Sequence, residues 1–237
     1  MPVNAPRHSE VLRQKIQRLG GRLNQAATTL WQHARLAEIY PSYLLASYSV
    51  VRASVPLMEA AHKRAIGMAD RDSLGAPLAE YLAKHIPEEK GHDDWLLDDL
   101  AVMGVERDEA LRKIPSPVVA ALVGSQYYWI LHFHPLAVLG YIAVLEGDPP
   151  RPEAVREVID RTGIPERAFS TLLMHAGIDP LHRSNLDVVL DDLRLGPEHS
   201  ALLGVSAIQT MGMLARVLDE VVETYERNTR IGVRASA

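Results

Sequence analysis

A chain of 237 residues with 47% hydrophobic residues, 23% charged residues and a formal net charge of −5 has an ordinary globular composition and can bury one sizeable core. Having no cysteine, it excludes disulfides, thiolate metal sites, iron–sulfur clusters and a cysteine nucleophile. Dispersed basic residues leave no nucleic-acid footprint. The N-terminus lacks an apolar segment and stretches such as 135–145 are too short to span a bilayer, so a soluble, untargeted, cytoplasmic protein that contacts no membrane is expected.

Residues 8–38 read as a first amphipathic helix. Val11, Ile16, Leu19, Leu23, Ala26, Leu30 and Ala34 recur near helical spacing, Gly20-Gly21 is a weak point, and Tyr40-Pro41 ends the helix. From Ser42 the stretch SYLLASYSVVRASVPLMEAAHKRA is apolar on most sides, so it is expected to cross the core with a kink at Pro56. Glu59, three residues before His62, is either a core carboxylate or the exposed partner of Lys63 at i, i+4. After a polar break at 70–75, a helix from Pro77 to Met103 carries Glu89 and His92, the E-x-x-H pair by which helical di-iron proteins offer a carboxylate and an imidazole to one metal. Charged helix faces often produce such pairs. Glu88, Asp93, Asp94, Asp98 and Asp99 look like a solvated face, and His85, one heptad before His92, is a rival ligand.

Residues 104–117 form a connection with a short helix, and VVAALVGSQYYWILHF is a strongly apolar helix. Tyr127, Tyr128 and Arg52 are candidates for lining a pocket. His132 and His134 cannot share a helical face, so at most one serves a site, and capping or support of a ligand is the expected role. The next helix, PLAVLGYIAVLEG, opens at Pro135 and closes at Gly147. Glu146 at its C-terminus opposes the macrodipole and has no cation three or four residues before it. Unless it reaches solvent it needs a partner, and a metal ion would be one.

Residues 152–162 form an amphipathic helix, and Pro165 leads into MHAGIDPLH at 174–182. At about 100° per residue, His175, Asp179 and His182 fall within an arc of about 60°. Nitrogen and oxygen ligands of this kind suit Fe(II), Mn or Zn. The alternative is that Asp179 is an N-cap followed by Pro180 at the first helical position, with both histidines partly solvated. Pro180 removes the bond to Ala176, and Gly177 costs roughly 1 kcal/mol against Ala. The segment is therefore expected to be unwound without metal and ordered with it. LDVVLDDLRLG ends at Gly196, Pro197 starts a last long helix to about Arg227, and 228–237 read as a flexible tail. With no strand alternation or repeat, a single all-α domain of roughly seven to nine helices is expected over 1–237.

The metal candidates are thus Glu59, Glu89, His92, Glu146, His175, Asp179 and His182: four carboxylates, matching the charge of two Fe(II), and three imidazoles. A symmetric site would use a second E-x-x-H pair, and H-x-x-x-D-x-x-H takes that place here. Through EEKGHDDWLLDDL, HPLAVLGYIAVLEG and HAGIDPLH, and over roughly residues 40–225, the chain resembles the haem-oxygenase-like di-iron oxidases and oxygenases, the iron-containing redox enzymes. The resemblance implies a haem-oxygenase-like bundle of about seven core helices and a non-haem centre of two Fe2+ ions that binds O2 as a peroxo species. It further implies N-oxygenation, desaturation or C–C cleavage of amino acids, fatty acids or related small acids, with a homodimer plausible by fold analogy. In the same resemblance Glu89, His92, Glu146, His175, Asp179 and His182 fit ligand positions, and Glu59 fits a carboxylate from the earlier core helix. A haem-binding protein of this bundle would use an axial histidine, for which His33 is the candidate. A thiaminase-like hydrolase would use the cysteine this chain lacks, and a cofactor-free oxidase or a non-catalytic metal binder remains as a further alternative.

Overall fold

The computed structural model describes residues 6–235, with side chains from 6 to 231. Among them are twelve α-helices and one 3₁₀ turn, and no strand. The helices are α1 (His8–Leu19), α2 (Gly21–Trp31), α3 (Leu36–Val51), α4 (Ser54–Met68), α5 (Gly75–Glu89), α6 (His92–Val102) and α7 (Arg107–Arg112). They continue as α8 (Pro117–His132), α9 (Ala137–Leu145), α10 (Pro152–Thr162), the 3₁₀ turn Glu166–Phe169, α11 (Ser170–Asp192) and α12 (Pro197–Ala235).

The excess over the expected number comes from breaks at weak points. The first helix divides at Gly20 and ends at Trp31, before Tyr40-Pro41. Pro41 instead lies near the start of α3, where it forgoes a single backbone bond. The kink expected at Pro56 is a full break at Arg52–Ala53, leaving Pro56 in the first turn of α4, where a missing N–H costs nothing. The helix expected over 77–103 is likewise two, because Gly91 adopts φ 90°, a left-handed conformation that glycine accepts without a Cβ penalty. The last helix runs on past Arg227 to Ala235, with Asn228 to Ile231 exposed, and 236–237 of the expected tail lie outside the described residues.

At the centre, α12 packs most extensively against α9 and α2, and α4 against α5. By length and composition α12 could cross a bilayer, but half of its apolar window is buried within the bundle. Three apolar clusters fill the interior, and two of them flank the polar seam. One gathers Leu82 and Ile86 of α5, most of α9, and Leu186 and Leu190 of α11. The other holds Leu96 and Leu97 of α6, Tyr40 and Leu44 of α3, and Leu172 and Leu173 of α11. Among the described residues α3, α5 into α6, and α11 each contribute to both clusters, and the last two carry polar residues at the seam between them. His85, Glu89 and His92 lie between the cluster residues of α5 and α6, and His175, Asp179 and His182 between those of α11.

Candidate metal centre

Six of the seven sequence-predicted ligands meet at this seam, and His85 joins them. Glu89 is the last residue of α5 and His92 the first of α6, so the E-x-x-H pair bridges a break instead of riding one helix. Glu89 Oε2 lies 3.1 Å from His92 Nδ1, while its Oε1 lies 3.2 Å from His182 Nδ1. One carboxylate thus faces two imidazoles through different oxygens. Glu146 is buried, with Oε1 3.0 Å from His85 Nε2 and Oε2 3.9 Å from His182 Nδ1. The cations that satisfy the C-terminal end of α9 come from other helices: Arg13 donates to Ala143 O and Arg183 to Gly147 O.

α11 is helical from end to end, so Asp179 is not an N-cap. It is buried in mid-helix, with Oδ1 2.9 Å from His175 Nδ1. The true cap is Asp99 of α6, whose oxygens accept the backbone N–H groups of Ser170 and Thr171 at 3.1 and 3.0 Å. It is buried, not part of a solvated face. Burial, partly offset by those hydrogen bonds, pushes the Asp99 carboxyl up to about 6.

A spacing overlooked in the sequence explains how the cluster is built. His85-Glu89-His92 and His175-Asp179-His182 are both H-x-x-x-(D/E)-x-x-H. The two elements meet in opposite directions. The rings of His85 and His182 are edge-to-face at 4.9 Å, and those of His92 and His175 at 5.0 Å. The result is two half-sites. One holds His85, His182 and Glu146, the other His92, His175 and Asp179, and Glu89 stands between them. Glu88 also belongs here, although its sequence context reads as solvated surface. Its Oε2 is 3.3 Å from His85 Nδ1 and 3.7 Å from His182 Nε2, with the side chain 47% exposed.

Glu59 is not brought in. Pro56, Glu59, Lys63 and Ile66 form the exposed face of α4, and Glu59 is 54% exposed and pairs with Lys90 at 3.6 Å rather than with Lys63. His62 is absent from the cluster. His33, the haem candidate, accepts the Arg35 N–H at Nδ1 and packs against Tyr225.

The donor set fits a cation. One ligand atom each from His85, Glu89, Glu146 and His182 lie within 4.8 Å of one another. Closure on an ion with bonds of about 2.0–2.2 Å needs ligand atoms within about 4.2 Å, a small inward rotation. Glu89 Oε1, His92 Nδ1, Glu146 Oε2 and His182 Nδ1 are buried without a hydrogen-bond partner, the contacts between them being too long or out of line for one. Each such atom costs about 1–3 kcal/mol if nothing meets it. The protonation balance also reflects a crowded anionic site. Burial disfavours the imidazolium of His85, but Glu146, Glu89 and Glu88 carry it up to about 8. Glu89 raises His182, and Asp179 raises His175 against its burial. Burial opposes ionisation of Glu89, yet His182 and His92 hold it well below the usual carboxylate range, whereas burial wins at Glu146 and raises it.

A second cluster, Asp72, His134 and His199, has metal-like proximity but the wrong tautomers. His134 Nδ1 accepts the Leu136 N–H at 3.0 Å and His199 Nδ1 accepts the Gly196 N–H at 3.2 Å. Each neutral ring therefore carries its proton on Nε2, and His134 Nε2 donates to Asp72 at 3.3 Å. The cluster pins three helix starts, and His134 caps α9 as its sequence context suggests.

A cavity of about 210 Å³ opens onto the centre at Glu89, Glu146, His175 and Asp179. Its walls are mostly apolar, with Met58, Leu96, Ile142 and Leu172, and include the hydroxyls of Ser54 and Tyr141, 3.0 Å apart. The expected lining residues are elsewhere: Tyr128 is exposed, Tyr127 packs against the core, and Arg52 lies over the Tyr48 ring.

The all-α bundle around the buried histidine–carboxylate centre has a haem-oxygenase-like fold, as solved structures show. A domain of unknown function with a heme oxygenase-like fold from Shewanella denitrificans matches with TM-score 0.75 and 18% identity, over 89% of this chain and 91% of the other. A TenA homolog from Pseudomonas syringae pv. tomato matches with TM-score 0.67 and 17% identity, over 90% and 91%. Residues 41–202 match the iron-containing redox enzyme family, and the chain belongs to it. No curated protein matches the chain.

Proposed function

We propose that the protein is a non-haem di-iron, O2-dependent oxidase or oxygenase acting on a small organic molecule held in the 210 Å³ cavity. The observation that carries this reading is the antiparallel meeting of two H-x-x-x-(D/E)-x-x-H elements around Glu89. His85, His182 and Glu146 would hold one ion, His92, His175 and Asp179 the other, and Glu89 would bridge them. With Glu59 outside the centre, Glu89, Glu146 and Asp179 would supply three negative charges to the two ions, and the half-exposed Glu88 stands at the edge of the site. The irons, when bound, supply electrons to dioxygen and the oxidising equivalents that act on substrate.

The chain's own contribution is placement. Met58, Leu96, Ile142 and Leu172 keep water from the cavity side of the centre and orient an apolar substrate body. Tyr141 is kept protonated by burial and remains a hydrogen donor beside Ser54. Among the described residues no lysine or arginine lines this cavity, so a substrate carboxylate of the kind expected for an amino acid or fatty acid would be met by the metal centre. A cytoplasmic setting is part of the same proposal.

The test is anaerobic Fe(II) loading with metal quantification, followed by an O2 pulse monitored in the visible region and a substrate screen reading O2 consumption. Two irons per chain and a transient band are expected, both lost in Glu89→Ala. Iron bound without O2 uptake would leave a metal binder, and a Soret band would indicate haem.

A further inference from the structure

The centre has a second face. A groove of about 440 Å³ between α5 and α11 reaches it at His85 and Glu88, and it shares no lining residue with the substrate cavity. Its wall carries three carboxylates, Glu80, Glu88 and Asp192, against one ammonium, Lys84, which Glu80 already pairs at 2.7 Å. Tyr81 lines it too, buried, with its hydroxyl lacking any hydrogen-bond partner. His85 and His182 are almost wholly enclosed, whereas Glu88 is half exposed and touches both.

We propose that this groove is the route by which a divalent cation reaches the centre, with Glu88 as the carboxylate that takes the ion from solvent and passes it to His85 and His182. The proposal rests on the metal-centre reading above. Carboxylates along a concave wall concentrate cations, and such focusing raises association rates by about 10- to 1000-fold. Glu88 is placed for the transfer on the groove side of both rings: its Oε2 lies 3.3 Å from His85 Nδ1 and 3.7 Å from His182 Nε2, while the opposite ring nitrogens face Glu146 and Glu89. The cavity on the other face stays free for substrate, so loading and catalysis do not compete for one opening.

The test uses the full chain stripped of metal and Co(II) alone as the probe, with uptake followed by stopped-flow absorption. Glu88→Gln keeps an oxygen that can accept from His85 Nδ1 but removes the charge. It should slow uptake roughly tenfold and flatten its salt dependence while leaving the final stoichiometry unchanged. Val188→Trp, an exposed position on the groove wall, should slow uptake by obstruction, whereas Ser47→Phe on the substrate-cavity wall should not. Wild-type rates in both groove variants, or slowing confined to Ser47→Phe, would overturn the proposal. An unchanged rate with weakened final affinity in Glu88→Gln would make Glu88 a resident ligand and overturn it as well. If the wild-type chain takes up no Co(II), the metal centre itself falls, a result distinct from a rate effect.

Discussion

Each histidine of the centre faces carboxylates, and this fixes how the protein responds to pH. His85 rises from an unfolded value near 6.5 to about 8, and His175 and His182 shift in the same direction. A raised folded pKa contributes stability that is complete below pH 6.5 and lost as pH climbs through 8. For buried His85 the loss is about 2 kcal/mol. Metal binding has the opposite dependence, because an ion displaces those protons and gains affinity over the same interval. Calorimetry at pH 6, 7 and 8 should therefore show the stripped protein melting lower as pH rises, with the gap to the Fe(II)-loaded protein widening. A constant gap would show that these imidazoles are not ligands. Glu146, His175, Asp179 and His182 are legible in the sequence because each is a polar residue that an apolar or structurally weak setting fails to explain, and Glu89 and His92 are legible by their E-x-x-H spacing within a charged stretch. Glu59 misleads, since the face it occupies depends on where α4 begins, and the break at Arg52–Ala53 has no glycine or proline to mark it. His85 could have been assigned by setting the two histidine triplets side by side, whereas Glu88, outside that pattern and among other charged residues, carries no such signal.

Among the helices, α11 is where local preference and tertiary demand conflict most. Gly177 and Pro180 weaken the turn that carries Asp179 and His182, yet the helix is continuous from Ser170 to Asp192. Asp99 holds its start, and Leu186 and Leu190 anchor its second half in the core. The stretch between them depends on what its inward side chains bind. Amide exchange across 175–185 should slow by roughly tenfold or more on Fe(II) loading, while α9 and the buried part of α12 change little. Nothing lies within 4 Å of a Cβ added at Gly177, so Gly177→Ala should strengthen the helix by about 1 kcal/mol and shrink that response. Equal exchange with and without metal would show that packing alone orders α11. Existence and order of the helices follow from periodicity, but their joints do not. Gly91 ends α5 because it can turn left-handed, whereas Gly177 passes unnoticed through a helix whose flanks are fixed by remote residues.

Across the molecule, the centre depends on how closely α9 and α12 approach. From Ala137 to Ala143 α9 is buried on all sides, so it cannot be adjusted by yielding toward solvent. Its contact with α12 is made at Gly140, where an added Cβ would stand 2.6 Å from Leu203 O and 2.8 Å from Ser206 Cβ. Backbone oxygen gives way only if a helix moves, and Ser206 is itself tied to Gln126 and Ala137 O. Gly140→Ala must therefore push the two helices apart. Overpacking of this kind costs about 1–3 kcal/mol, or roughly 2–12 °C in melting temperature for a chain of this size. The displacement also travels along α9 to Glu146, about 9 Å away at 1.5 Å per residue, and through it to His85 and His182. The variant should thus lose melting temperature and bind the ion on the Glu146 side more weakly, while His92, His175 and Asp179 retain theirs. Titration calorimetry would resolve the two ions: one weakened step beside one unchanged step is the expected result. Equal weakening of both steps would mean that α9 does not position Glu146 independently and that the bundle fails as a unit.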